Sequence, residues 1–239
     1  MLLDSLAQLH WAAVLQIVVI DLLLGGDNAV VIALACRRLD PRRRMQGILW
    51  GTLGAIALRV LLIAFALALL TIPYLKIVGA LLLVWIGVHL MLPETDSHNN
   101  IRESSSIWSA VRTIIIADFV MSLDNVVAIA AAAQNTIADH RMLYVIFGLL
   151  LSVPIIVWGS TLVLRLIDRF PVVVTLGAGL LGWIAGGMLV TDVVLAPWLD
   201  RLQLPVSLLA KIIGAALVVG AGYYLAHRRA KITQEKLVS

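Results

Sequence analysis

Charge is scarce in this chain. Of its 239 residues, 13% are Asp, Glu, Lys or Arg, about half the share found in soluble domains. A single cysteine, Cys36, excludes a disulfide framework and a cysteine-based metal site. The first ten residues, MLLDSLAQLH, hold neither Lys nor Arg, so no secretory signal peptide is expected. Segments of strict apolar–polar alternation are also missing, which counts against a transmembrane β-barrel. What the chain has is 62% hydrophobic residues and a mean hydropathy of +1.02. That excludes an ordinary soluble domain, and it excludes disorder. The net charge of +4 would suit nucleic acid, but the basic residues fall between long apolar runs. No nucleic-acid partner is expected; the pattern belongs to a protein that lives in a lipid bilayer.

A membrane-spanning helix needs about 20 mostly apolar residues. Seven such runs are present, at 11–35, 45–70, 72–92, 107–133, 142–166, 171–195 and 205–226. The expected fold is therefore an all-α polytopic membrane protein forming one domain over 1–239. Residues 93–106 would link two halves, and 227–239 would form a tail. Basic residues set the orientation. Lys76, Arg141 and Arg201 fall on one side, Arg59 and Lys211 lie inside runs, and the other 13 of the 18 fall on the opposite side. This predicts a plasma (inner) membrane protein with its N-terminus outside and its C-terminus in the cytoplasm. Trp11, Tyr74, Trp108, Trp198 and Tyr223 sit near run ends, where aromatic rings favour the interface. Trp85 and Trp183 lie deeper and read as bundle-packing residues. Lys211 and His89 read as snorkelling side chains.

The chain repeats itself. DLLLGGDNAVVIALA, from Asp21, matches DFVMSLDNVVAIAAA, from Asp118. Asp21, Asp27 and Asn28 align with Asp118, Asp124 and Asn125 at an offset of 97, as do Arg44-Met45 with Arg141-Met142 and Gly51 with Gly148. At an offset of 98, Pro73 matches Pro171, Gly79 matches Gly177, Trp85 matches Trp183 and Glu94 matches Asp192. Each copy, 11–92 and 107–195, contains three runs. Three is odd, so the second copy enters the bilayer from the opposite side, and the seventh helix stands alone. Inverted repeats of this kind build many secondary transporters, with the binding site near the midplane at the repeat interface.

Four of the 14 acidic residues lie deep in the runs: Asp21, Asp27, Asp118 and Asp124. An Asp at a helix centre costs about 2.5–3.5 kcal/mol on insertion scales, so four would cost on the order of 10 kcal/mol if uncompensated. Water, protons, a cation or hydrogen-bond donors must solvate them. Asp21 and Asn28, seven apart, share a helix face about 10.5 Å apart along the axis, and Asp118 and Asn125 do the same. Asp27 and Asp124 would point roughly 100° away on an unbroken helix. Gly25-Gly26 favours unwinding just before Asp27, which would free backbone carbonyls and let Asp27 swing toward Asp21. Ser122-Leu123 replaces the glycines in the second copy, where Ser122 can hydrogen-bond the backbone. These are hard oxygen donors, suited to Mg²⁺, Ca²⁺ or Mn²⁺. No His or Cys lies at this depth, which counts against zinc and copper. Met121 lies one turn from Asp118 and Asp124. It reads either as a thioether favouring Mn²⁺ or as a packing residue like its counterpart Leu24. Arg59, mid-run, is either a structural ion-pair partner of one Asp or an offset to the site charge; its counterpart is Ile156. Four carboxylates, Arg59 and a divalent ion leave one negative charge, which one proton could neutralise. Proton antiport would fit that sum. Glu94 and Asp192, repeat-related and near the run ends, read as a solvated face or as gate or vestibule acids.

The doubled motif, DLLLGGDN at 21–28 and DFVMSLDN at 118–125, with the seven-run layout, resembles the TerC family of integral membrane proteins, within the lysine-exporter-like transporter superfamily. The resemblance covers nearly the whole chain. It implies a non-enzymatic transporter exporting Mn²⁺ as its substrate, and more loosely tellurite resistance or metal delivery to exported enzymes. It assigns the site to Asp21, Asp27, Asn28, Asp118, Asp124 and Asn125. Three other readings compete with it. One is an intramembrane aspartyl protease, which also sets two Asp on different helices. Another is a metallation or stress scaffold that moves no ion. The last is a seven-helix receptor, disfavoured by the repeat and by the shallow position of Lys211.

Overall fold

The computed structural model describes residues 11–65, 72–92, 106–133, 141–199 and 205–238. Among these, every regular element is a helix: α1 (Trp11–Gly25), α2 (Asn28–Cys36), α3 (Pro41–Ala64), α4 (Leu75–Met91), α5 (Ile107–Ala133), α6 (Arg141–Arg169), α7 (Val172–Val190), α8 (Ala196–Leu199) and α9 (Val206–Val238). Each expected run holds a helix or a helix pair. Four segments are long and apolar enough to cross a membrane: Pro41–Ala64, Leu143–Arg169, Val172–Val190 and Val206–Arg229. The pair α1 and α2, bent by 58° at its break, makes a fifth if it counts as one span. Leu75–Met91 is apolar but only 17 residues long. Boundaries differ from the expected ones. α3 stops at Ala64, α7 stops at Val190, and α9 continues past 226 to Val238. The linker over 93–105 lies outside the described residues, and so does Glu94.

Local chemistry sets the helix ends. Asp40 caps α3, its carboxylate accepting from the Arg42 N–H at 2.9 Å, and Pro41 follows at the first helical position. At the other end of the first repeat, α4 presents unsatisfied carbonyls. Arg37 and Arg38, just after α2, donate to them: Arg37 to Leu90 O at 2.6 Å, Arg38 to His89 O at 2.8 Å and Leu92 O at 2.6 Å. Arg44 pairs with Asp168 at 2.7 Å, tying the start of α3 to the end of α6. A line of arginines thus fastens the helix ends on one side of the bundle.

The main apolar core runs through α2 to α7, with Leu34, Ile48, Leu83, Ile114 and Leu181 almost fully buried. A second cluster joins α1 to α6 through Val14, Ile17, Tyr144 and Leu149. α3 packs chiefly on α5, α1 and α2 on α6, and α4 on α7. Gly51 lies under Ile114, where a methyl would come within 2.3 Å of Ile114 Cδ1. Gly148 lies under Ile17, where a methyl would come within 2.7 Å of Ile17 Cγ2. α9 is peripheral, with little of its apolar length buried, and it leans on α7 and α4. Its contact with α7 is backbone to backbone: a methyl on Gly182 would stand 2.3 Å from Gly214 O. Small residues permit such approaches between membrane helices.

Large apolar side chains cover the outside. Trp11, Tyr74, Trp108, Trp198 and Tyr223 are all exposed. Trp85 departs from expectation: it is 61% exposed and stacks on His89 at 5.4 Å, so it faces outward instead of packing the bundle. Lys211 Nζ lies over the Trp183 ring, 5.9 Å from its centroid. Asp192 is also not on a solvated face. It is buried, and its Oδ1 accepts from the Val194 N–H at 3.0 Å and the Tyr74 N–H at 3.4 Å.

Candidate functional site

The deep acids converge, but on an arginine. Arg59 stands on α3, five residues before its end, and is 2% exposed. Its Nη1 donates to Asp21 Oδ1 on α1, and its Nη2 donates to Asp118 Oδ1 on α5. Nε donates to Ser122 Oγ at 3.1 Å. The second oxygen of each carboxylate is held by a serine: Ser152 of α6 donates to Asp21 Oδ2 at 2.6 Å, and Ser122 donates to Asp118 Oδ2 at 3.1 Å. Asn28 Nδ2 adds a bond to Asp118 Oδ1 at 2.9 Å. All four carboxylate oxygens are thus satisfied, as burial demands. Beside the cluster, Asn28, Asp118 and Ala55 border a cavity of about 10 Å³, room for roughly one water.

Asp21, Asn28 and Asp118 therefore meet in one buried cluster, while the space between Asp21 and Asp118 is filled by the guanidinium. Among the described residues, no three Asp, Glu, His or Cys side chains come together in a metal-binding group. Arg59 pairs with both repeat-equivalent carboxylates, where one partner was expected. Gly25 makes room for it, since a methyl there would sit 3.3 Å from Arg59 Nη1 and 3.1 Å from Asn28 Nδ2.

The expected break is present in the first copy only. α1 ends at Gly25, and Asp27 opens α2, its carbonyl accepting from the N–H groups of Val30 and Val31. Gly26 lies against Leu22 O, which a methyl would approach to 2.9 Å. Asp27 Oδ1 is buried without a hydrogen-bond partner, as is Asn28 Oδ1. In the second copy α5 runs unbroken past Ser122, whose hydroxyl bonds the Asp118 side chain instead of the backbone. Asn125 donates to Leu24 O at 2.8 Å. The side chain of Asp124 lies outside the described part of the structure. Met121 is buried in the main apolar core.

One participant was not singled out from the sequence. Ser152 reaches Asp21 from α6, and its signal was a lone hydroxyl in the run LLLSVP at 149–154. Thr52, on α3 and 1% exposed, has a hydroxyl oxygen with no partner.

Comparison with known proteins fits this architecture. The model of the integral membrane protein TerC family matches residues 6–230. The chain is 40% identical over 212 residues to the uncharacterized membrane protein YjbE of Bacillus subtilis (strain 168), covering 89% of this chain and 94% of that one. It is 24% identical over 184 residues to the uncharacterized membrane protein YceF of the same organism, covering 73% and 69% respectively. It is 26% identical over 185 residues to the UPF0053 protein YegH of Escherichia coli (strain K12), where the shared part is 70% of this chain and 34% of that protein. No solved structure matches. The chain is thus an integral, multi-pass membrane protein, and it belongs to the TerC family.

Proposed function

We propose that the protein is a seven-span transporter that exports a divalent cation, Mn²⁺ foremost, from the cytoplasm through the interior shared by its two motifs. The observation that carries this reading is the meeting of Asp21 and Asp118, equivalent positions on different helices, around one buried cationic group. A bilayer protein that buries two acids at the interface of its repeats has built a cation-attracting centre there. Asp27 Oδ1 and Asn28 Oδ1 add unpartnered oxygens at the break, where discontinuous helices coordinate ions in transporters. All of these are hard donors, in keeping with Mn²⁺, Mg²⁺ or Ca²⁺.

The inverted arrangement has its own support. Gly51 meets Ile114, and Gly148 meets Ile17. Each residue of the second pair lies 97 positions from a residue of the first. An in-plane two-fold axis would exchange these contacts, and likewise the packing of α3 on α5 with that of α1 on α6. The arginines on one side of the bundle support a cytoplasmic C-terminus, and a proton remains the natural counter-ion for the leftover charge. An aspartyl protease fits poorly, since its two acids would have to share a proton, and here both are engaged by Arg59.

The filled centre favours a second reading, a scaffold that moves no ion. Transport of Mn²⁺ by the purified protein in liposomes decides between them, because a scaffold produces no flux. In cells, Asp27→Asn and Asp124→Asn should each abolish Mn²⁺ efflux while leaving the protein folded in the membrane. Wild-type efflux in both variants would defeat the site assignment.

A further inference from the structure

We propose that Arg59 is a resident counter-cation, holding between Asp21 and Asp118 the place that the transported cation takes, so that guanidinium and metal compete for one pair of carboxylates. This rests on the transport reading above. Arg59 is not part of the duplicated plan, because its counterpart on α6 is Ile156. Two equivalent acids therefore share one side chain from a single copy, which places a lone positive charge midway between them.

The carboxylates do not depend on Arg59 for their orientation. Asp21 Oδ2 is fixed by Ser152 and Asp118 Oδ2 by Ser122, while the Oδ1 atoms of both face the guanidinium. If the guanidinium withdraws, each acid keeps a neutral donor and still presents one oxygen to the same point. Charge then decides the occupant. With Arg59 in place, two carboxylates and one guanidinium leave a net negative charge, while a divalent ion neutralises the pair fully. In a low-dielectric interior that difference favours the metal once it arrives. Without either cation, the two acids would be buried and unpaired, the costly state that Arg59 prevents. A cavity large enough for about one water borders Ala55, one turn before Arg59, and the bare backbone of Gly25 lets the guanidinium seat where it does.

The test is Mn²⁺ binding by calorimetry to the purified full chain in detergent, for wild type, Arg59→Gln and Arg59→Lys. Competition predicts that Arg59→Gln binds Mn²⁺ about tenfold tighter or more than wild type. Guanidinium chloride at non-denaturing concentration should weaken Mn²⁺ binding to Arg59→Gln and leave the wild type unchanged. Arg59→Lys keeps the charge but loses the planar fork that spans two carboxylates, so it should fall between the two; it also serves if Arg59→Gln does not fold. Binding equal to or weaker than wild type in the folded variants overturns the proposal, while wild-type binding and liposome flux leave the transport reading standing. Absence of Mn²⁺ binding and flux in the wild type, with none gained in the variants, removes the transport reading and this proposal with it.

Discussion

The side-chain amide of Asn125 donates to the backbone carbonyl of Leu24 at 2.8 Å. Leu24 lies in the last turn of α1, whose carbonyls lose their helical partners because the helix stops at Gly25. The asparagine of the second copy thus supports the break in the first. Its counterpart Asn28 does something different, donating to the Asp118 carboxylate at 2.9 Å. The cause of the asymmetry is local: Gly25-Gly26 lets the first copy break, whereas Ser122-Leu123 leaves α5 continuous. Asn125→Ala should cost about 0.5–1.5 kcal/mol, the usual net contribution of a hydrogen bond. Hydrogen exchange would localise the effect, with amides of residues 27–31 exchanging faster and those of α3 unchanged.

Asp118→Asn and Asp27→Asn should separate sharply in stability. Asp118 accepts from Arg59, Asn28 and Ser122 at once, so its neutralisation weakens a buried ion pair and leaves a guanidinium with half its counter-charge. Breaking such pairs costs about 3–5 kcal/mol. Asp27 Oδ1 has no partner to lose. Thermal melts in detergent should show a large fall in Tm for Asp118→Asn and little change for Asp27→Asn. Equal shifts would mean that the ion-pair cluster does not anchor the bundle.

Much of this was legible in the sequence because period and charge carry it. Long apolar runs fixed the helices, and the cost of burying acids singled out Asp21, Asp27, Asp118 and Asp124. The offset of 97 tied the copies together before any contact was known. What did not show was which partner each acid chooses. Arg59 is one cation in a long apolar run, and nothing in its spacing reveals that two acids from other helices will meet on it. Ser152 was invisible for the same reason, since its only tie to Asp21 is three-dimensional. The break at Gly25-Gly26 was readable; the size of the bend there, 58°, was not. Trp85 misled because depth along a helix says nothing about which face a ring occupies. The sequence GWIAG at 182–186 did carry a readable signal of close helix packing.

Met121→Leu tests whether the thioether contributes to ion choice. Met121 is 5% exposed and sits in the main apolar core, one turn from Asp118. Leu conserves the volume, so the stability cost should stay below about 1.5 kcal/mol. If Met121 only packs, the preference for Mn²⁺ over Mg²⁺, read from metal-dependent thermal shifts, will be that of the wild type. A selective loss of the Mn²⁺ shift would instead place sulfur among the ligands, since a thioether favours the softer ion.

Gly182→Ala should loosen α9 without disturbing the acids. A methyl at Gly182 would stand 2.3 Å from Gly214 O and 2.8 Å from the Ala215 Cα, and both obstacles are backbone that cannot rotate away. The helices must separate, at a cost of about 1–3 kcal/mol for overpacking. Gly179→Ala is the matched control on the same helix, because its methyl would meet Val219 Cγ2 at an ordinary 3.4 Å. α9 contributes nothing to the Arg59 cluster, whose side chains come from α1, α2, α3, α5 and α6. Hydrogen exchange should therefore rise along α9 in Gly182→Ala, stay unchanged in Gly179→Ala, and remain slow at Asp118 in both. Fast exchange at Asp118 in Gly182→Ala would show instead that α9 clamps the centre from outside.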